Sequence, residues 1–213
     1  MKIDGIIFDS DGTLVDSLKL IVNAYNYAVE PVLHETFGVE QVSSLFGPPM
    51  EKILLCVLPS KFANEAVHRY HEYYREHFQD YANVYPGIPE VVTSLHRSNQ
   101  TLGVVTGAGR QAAELTLKLT GLFSSFGTVV TGDDVGRPKP NPDGLQLAIR
   151  KMSTLADRTV YIGDSVVDIQ AAKNAGTMSA GALWGSRHPT ELAAASPDFL
   201  FYTPSDVLKS LKV

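Results

Sequence analysis

The sequence predicts an α/β protein, a Rossmann-like doubly wound parallel sheet with a small all-helical cap inserted after the first strand. Three observations carry this prediction. Short apolar runs recur along the chain, each followed by small or polar residues and then a helical pattern. Such alternation implies right-handed βαβ units and a parallel sheet covered on both faces. Between about residues 16 and 82 the alternation stops and the pattern is almost entirely helical. Tyr85-Pro86-Gly87 then spells a turn that returns the chain to the main unit. The division expected is a core of residues 1–15 and 83–213 with the cap over 16–82.

The first strand is expected at residues 3–8, where Gly5-Ile6-Ile7-Phe8 reads as buried. Helices follow over 17–29, 39–46, 50–58 and 62–78, and Pro31 should kink or end the first of them. In the last, Val67, Tyr70, Tyr74 and Phe78 make one apolar stripe, read as packing. Strands are then expected at 101–105, 128–131, 159–162 and 177–183, with helices over 111–119, 142–152 and 166–175 between them. A weak strand at 199–201 precedes a short helix from Ser205 to Leu211.

Composition narrows the function. The chain has 213 residues, 44% hydrophobic and 19% charged, ordinary for a globular protein. A net charge of -5 argues against a nucleic-acid or anionic-membrane surface. No apolar run approaches the ~20 residues of a membrane span, and the acid inside the N-terminal run argues against a secretory signal. The single cysteine, Cys56, fits a reducing cytoplasm; within Ile53-Leu54-Leu55-Cys56-Val57-Leu58 it reads as core filler.

In open parallel sheets, ligands sit outside the carboxyl ends of the strands. Behind the successive apolar runs stand Asp9 and Asp11, then Thr106, then Lys139 a little further on, then Asp164. Hard oxygen ligands at such a rim suit Mg²⁺ together with a substrate phosphate, and Lys and Thr suit phosphate oxygens. The set points to phosphoryl transfer.

Order and spacing are also familiar. FDSDGT, the hydroxyl of VVTGAG, the lysine of GRPKPNPD and the acids of GDSVVDIQAAKNAG resemble the four motifs of the haloacid-dehalogenase-like hydrolases over essentially the whole chain. The helical block resembles the cap that subfamily I inserts after its first motif. GPPM and YPGIPEVVTSL resemble the phosphoglycolate phosphatases and related pyrophosphatases within it.

The resemblance implies that Asp9 is the nucleophile, forming an aspartyl-phosphate, and that Asp11 protonates the leaving oxygen and then activates water. It implies Mg²⁺ held by the Asp9 carboxylate, the Asp11 carbonyl and Asp164, with Asp168 behind, orienting metal waters or Lys139. Thr106 and Lys139 would hold phosphoryl oxygens, assisted by the N–H groups of Ser10 and Gly107. Gly12 allows the bend out of the strand, and Thr13 fixes it. In the cap, Phe46, Gly47, Pro48, Pro49 and Met50, with Ser43 and Ser44, are the residues expected to face the site.

The partner implied is a small phosphorylated metabolite met by a monomer or homodimer. A phosphosugar mutase shares the motifs and the cap. A dehalogenase lacks the second acid, and a receiver-like signalling module carries its phosphorylated aspartate on a middle strand. His68 and His71 have metal-compatible spacing, but no cysteine accompanies them and the segment reads as an amphipathic helix with a wet face. Arg69, Arg75 and Arg137 are treated as surface arginines, and Trp184 as packing under a loop beside the site.

Overall fold

Strand β1 (Gly5–Phe8) is buried at every residue and lies in the middle of a six-stranded sheet. A computed structural model describes residues 3–211. After β1 come β2 (Val15–Asp16), α1 (Leu18–Leu33), α2 (Val39–Ser43), α3 (Met50–Val57), α4 (Ser60–Glu76) and α5 (Phe78–Tyr81). The chain then runs through β3 (Asn83–Val84), α6 (Ile88–Arg97), β4 (Thr101–Val105), α7 (Arg110–Leu119), β5 (Thr128–Val130) and α8 (Asp143–Met152). Last are β6 (Thr159–Gly163), α9 (Val166–Ala175), β7 (Met178–Ala182), α10 (Pro189–Ala194), β8 (Phe199–Phe201) and α11 (Ser205–Leu211).

The large sheet has the order β5-β4-β1-β6-β7-β8, and every pairing in it is parallel. Period-two alternation sends Ile6 and Phe8 into one layer with Ile88, Leu95 and Val207, and Ile7 and Tyr161 into the other with Leu145, Ala148 and Ala172. The chain builds outward from β1 to β4 and β5, then returns to β6 on the opposite side. A reversal of strand order of this kind leaves a crevice at the carboxyl end of β1.

The helical block leaves and rejoins the core through one antiparallel ribbon, Val15 opposite Val84 and Asp16 opposite Asn83. Its centre is the face of α4 bearing Tyr70 and Tyr74, joined by Phe78 of α5, since the helix expected over 62–78 breaks at His77; each of the three is 2% exposed. Tyr74 reaches the core, where its hydroxyl shares a 2.9 Å hydrogen bond with Thr116 of α7.

Four expectations need correction. Pro31 does not end α1, which continues through it to Leu33. A proline there has no N–H for the carbonyl four residues back, and Arg69 takes that place, its Nε and Nη2 donating to the Tyr27 carbonyl at 3.2 and 2.9 Å. The guanidinium also lies 4.1 Å from the centroid of the Tyr27 ring. Arg69 is thus a helix-repair residue and not an idle surface charge. Cys56 is exposed, because α3 turns only Met50, Ile53 and Leu54 inward. The second insertion helix stops at Ser43, where the Ser43 and Ser44 hydroxyls donate back to the Glu40 and Gln41 carbonyls.

Arg69→Ala should cost about 1–3 kcal/mol, the price of an unsatisfied carbonyl in a partly buried helix. The exposed Arg75→Ala serves as the control, and equal urea midpoints for the two variants would show that Tyr27 needs no partner.

Candidate active site

The loop leaving β1 is shaped by close contacts. The Ser10 carbonyl accepts the N–H groups of Thr13, Leu14 and Val15 at 3.2, 2.8 and 3.1 Å. Gly12 has φ of +80°, and a Cβ there would lie 2.5 Å from the Asp164 carboxylate, so glycine is required twice over. Thr13 Oγ1 donates to Asp164 Oδ1 at 3.2 Å, joining the first loop to the end of β6. From above, Trp184 Nε1 donates to the Thr13 carbonyl at 2.9 Å, and Gly185 packs directly on the Gly12 carbonyl. This bend presents Asp9, 7% exposed, and the half-buried Asp11, whose Oδ1 accepts the Ser17 hydroxyl at 2.5 Å.

Other strand ends complete the rim. Thr106, buried after β4, accepts the Ala108 N–H on its hydroxyl oxygen at 3.1 Å, which leaves its own proton to donate. Lys139 arrives on the loop after β5, held by Asn174 of α9 on the Pro140 carbonyl at 2.9 Å. Its ammonium lies 2.6 Å from Asp168 Oδ1, 3.0 Å from the Tyr161 hydroxyl and 3.0 Å from Asp9 Oδ1. Asp168, one turn into α9, is 1% exposed. Its Oδ1 takes Lys139 and Tyr161, and its Oδ2 takes the Ser165 N–H and hydroxyl at 3.1 and 2.6 Å. Ser165 accepts the Asp168 N–H in return, a capping box for α9.

Asp9, Asp164 and Asp168 offer carboxylate oxygens that all lie within 4.8 Å of one another. Burial pushes the Asp9 carboxyl up to about 7, with Asp168 and Asp11 adding to the effect and Lys139 opposing it. Burial likewise raises Asp11, against the Ser17 hydrogen bond, and raises Asp164 well above the carboxylate range, with help from Asp168 and Asp9. Burial would raise Asp168 too, but Lys139 and the hydrogen bonds from Ser165 and Tyr161 outweigh it and hold this carboxylate low. Despite its burial, Lys139 is lifted well above its ordinary value by Asp168 and Asp9. One ammonium cannot neutralise this group of acids. Asp9 Oδ1, moreover, is buried and has no aligned hydrogen-bond donor. Hard oxygen donors, excess negative charge and a buried carboxylate oxygen met only by an ionic contact together fit a divalent cation.

The insertion meets this rim through backbone and small residues. Gly47 lines a cavity of about 20 Å³ together with Thr106, Gly107 and Lys139, and its carbonyl faces Gly107. Pro49 presses on Gly132, whose added Cβ would sit 2.5 Å from the Gly107 carbonyl and 2.8 Å from Pro49 Cγ. Lys52 donates to the Gly132 carbonyl at 3.2 Å and pairs with Asp133 at 3.3 Å. Of the cap residues expected at the site, Gly47 and Pro49 contact the core rim. Met50 is buried in the hydrophobic core, and Phe46 and Pro48 point to solvent.

Sequence reasoning missed two features. The Glu51 carboxylate packs against Gly109 and pairs with the buried His71 at 3.1 Å, whereas His68 is exposed. Tyr161 reaches the Lys139 cluster from inside the sheet. Arg137 is engaged by Asp143 at 2.7 and 3.0 Å.

Residues 6–182 match the haloacid dehalogenase-like hydrolases, and the chain belongs to that family; it is a hydrolase. Pyrophosphatase PpaX of Bacillus velezensis is 32% identical over 207 residues, covering 97% of this chain and 95% of that protein. Its namesake in Anoxybacillus flavithermus is 32% identical over 213 residues, covering 100% and 99%. Among solved structures, a predicted phosphoglycolate phosphatase from Haemophilus somnus superposes with a TM-score of 0.86 at 24% identity, covering 99% of this chain and 98% of that one. CbbY from Rhodobacter sphaeroides in complex with phosphate superposes with a TM-score of 0.84 at 23% identity, covering 99% and 100%. These structural likenesses establish the fold alone. Among the described residues, no helix is long and apolar enough to cross a membrane.

Two measurements test the site. With Asp9 raised to about 7, the folded state keeps a proton that the unfolded chain loses near pH 4, so this group weakens the metal-free fold as pH rises between those values. The melting temperature in chelator should therefore fall from pH 5 to pH 7.5, and Mg²⁺ should restore it at the higher pH. A Mg²⁺ effect of equal size at both pH values would count against the charge imbalance. Gly132→Ala, forced onto the Gly107 backbone, should destabilise by about 1–3 kcal/mol. Gly136→Ala, with nothing within 4 Å, should not; calorimetric melting of both decides the matter.

Proposed function

We propose that this hydrolase is a Mg²⁺-dependent phosphatase for a small phosphate monoester or pyrophosphate, acting through an aspartyl-phosphate on Asp9. The observation that carries the reading is the Asp9 carboxylate beside Lys139, with one oxygen lacking an aligned donor, at the crevice where the sheet changes direction. The similarity to the PpaX pyrophosphatases at 32% identity favours a compact substrate, and so does the narrow cavity roofed by Gly47.

In this reading Asp9 attacks phosphorus in line and the P–O bond to the leaving group breaks as the Asp9–phosphorus bond forms. Asp11, raised by burial and gripped by Ser17, gives its proton to the leaving oxygen and takes one from the water that later hydrolyses the intermediate. The Lys139 ammonium and the Thr106 hydroxyl hold the transferring oxygens. Asp9, the Asp11 carbonyl and Asp164 would hold Mg²⁺, which when bound supplies positive charge to ionise Asp9 and offset the incoming anion. Asp168 has both oxygens committed to Lys139, Tyr161 and Ser165, which favours a supporting role over direct ligation. Residues 16–82 act as a cap that closes on Gly107 and Gly132, excluding water and limiting the leaving group.

Asp9→Asn should lower kcat on pyrophosphate and on small monoesters by at least about 1,000-fold while leaving the protein folded with a cooperative melting transition. Chelation should abolish wild-type turnover reversibly. A single turnover in ¹⁸O water should place label in released phosphate and none in Asp9, since water attacks phosphorus at the second step. Wild-type-like phosphate release by the Asn variant would remove Asp9 from the mechanism. Transfer between positions of a sugar bisphosphate without free phosphate would turn the reading towards a mutase.

A further inference from the structure

Tyr161 is 0% exposed, points from β6 into the layer under α8 and α9, and has no part in the chemistry proposed above. A phenol in that position must pair its hydroxyl, since leaving it unpaired in an apolar layer is costly. Its single proton has two acceptors, the Val105 carbonyl and Asp168 Oδ1, both at 3.1 Å. The oxygen is itself an acceptor for Lys139 Nζ at 3.0 Å.

A lysine ammonium sits on four flexible bonds and has three equivalent donors, so its position is set by what it touches. Here Asp168 and Tyr161 take aligned hydrogen bonds, while Asp9, also 3.0 Å away, makes an ionic contact without such alignment. Two of its three donors are thereby committed to Asp168 and Tyr161, which leaves one for a phosphoryl oxygen in the reaction proposed above. Without the phenol oxygen, Nζ would be held only by the Asp168 and Asp9 carboxylates.

We propose that Tyr161 is a positioning residue for Lys139, its hydroxyl fixing the ammonium at the rim where it meets the phosphoryl oxygens. This rests on the phosphatase reading, in which Lys139 is the phosphoryl-binding cation. The bland alternative is that the hydroxyl merely satisfies the Val105 carbonyl.

Tyr161→Phe, Lys139→Met and the double variant separate these roles. The readouts are inorganic phosphate affinity by calorimetry with Mg²⁺ present, kcat and KM on pyrophosphate, and the melting temperature. If Tyr161 acts through Lys139, Tyr161→Phe should weaken phosphate binding and lower kcat by about tenfold, and should change phosphate binding less than about twofold once Lys139 is methionine. Phosphate affinity within about twofold of wild type, or the same fold-loss in both backgrounds, would overturn the inference and leave the structural role. Should the phenylalanine variant not fold, a crystal structure of the wild type with phosphate and Mg²⁺ still decides. Lys139 Nζ must remain hydrogen-bonded to Tyr161, and a separation beyond about 3.5 Å overturns the inference. A wild-type protein that binds no phosphate and hydrolyses no phosphate compound would instead overturn the phosphatase reading, and the role of Tyr161 with it.

Discussion

Like charges crowded at one protein rim are the constraint around which this structure is organised. Asp9, Asp11, Asp164 and Asp168 share a small space with a single ammonium, and three of the four carboxyls are driven upward by their enclosure. Only Asp168 is stabilised as an anion, because lysine, serine and tyrosine groups surround both its oxygens. Such an arrangement is poorly tolerated by a metal-free protein and well suited to one that meets a cation and a phosphate together. The parallel sheet makes it possible, since β1, β4, β5 and β6 all end at the same edge and each loop need supply only one or two groups.

Much of this was legible in the chain because the informative residues sit at positions of strong local constraint. Asp9, Thr106 and Asp164 each stand directly behind a buried apolar run, and the structure brings those three strand ends together. Asp168 shared its signal with Ser165, whose spacing marks a helix start whatever the acid then does. Long-range partnerships were not legible. Nothing near Pro31 announces that Arg69 will stand in for its missing N–H, and nothing in α4 announces that His71 will find Glu51. Cys56 misled because a run of six apolar residues hides its period; helical spacing within it turns Ile53 and Leu54 inward and Leu55, Cys56 and Val57 outward. Tyr161 looked like one more residue of a buried strand, and only the length of its side chain carries it to the rim.

The meeting of insertion and core shows a division of labour. Small residues make the contact at Gly47, Gly107 and Gly132, so backbone meets backbone and little room is left between them. Charged groups, Lys52 with Asp133 and Arg187 with Glu40, stand at the margins where water can reach them. Such pairs contribute little individually, which leaves the fit of the small residues to decide how closely the insertion can approach.

The contact of Trp184 and Gly185 with the Gly12–Thr13 bend ties the first dozen residues to a segment made much later. During synthesis, an emerging polypeptide therefore carries Asp9 and Asp11 long before it carries the clasp that shapes their loop. Until the stretch after β7 has left the ribosome, the turn bearing the amino-terminal acids lacks the contacts of Trp184 and Gly185 and rests on its remaining hydrogen bonds.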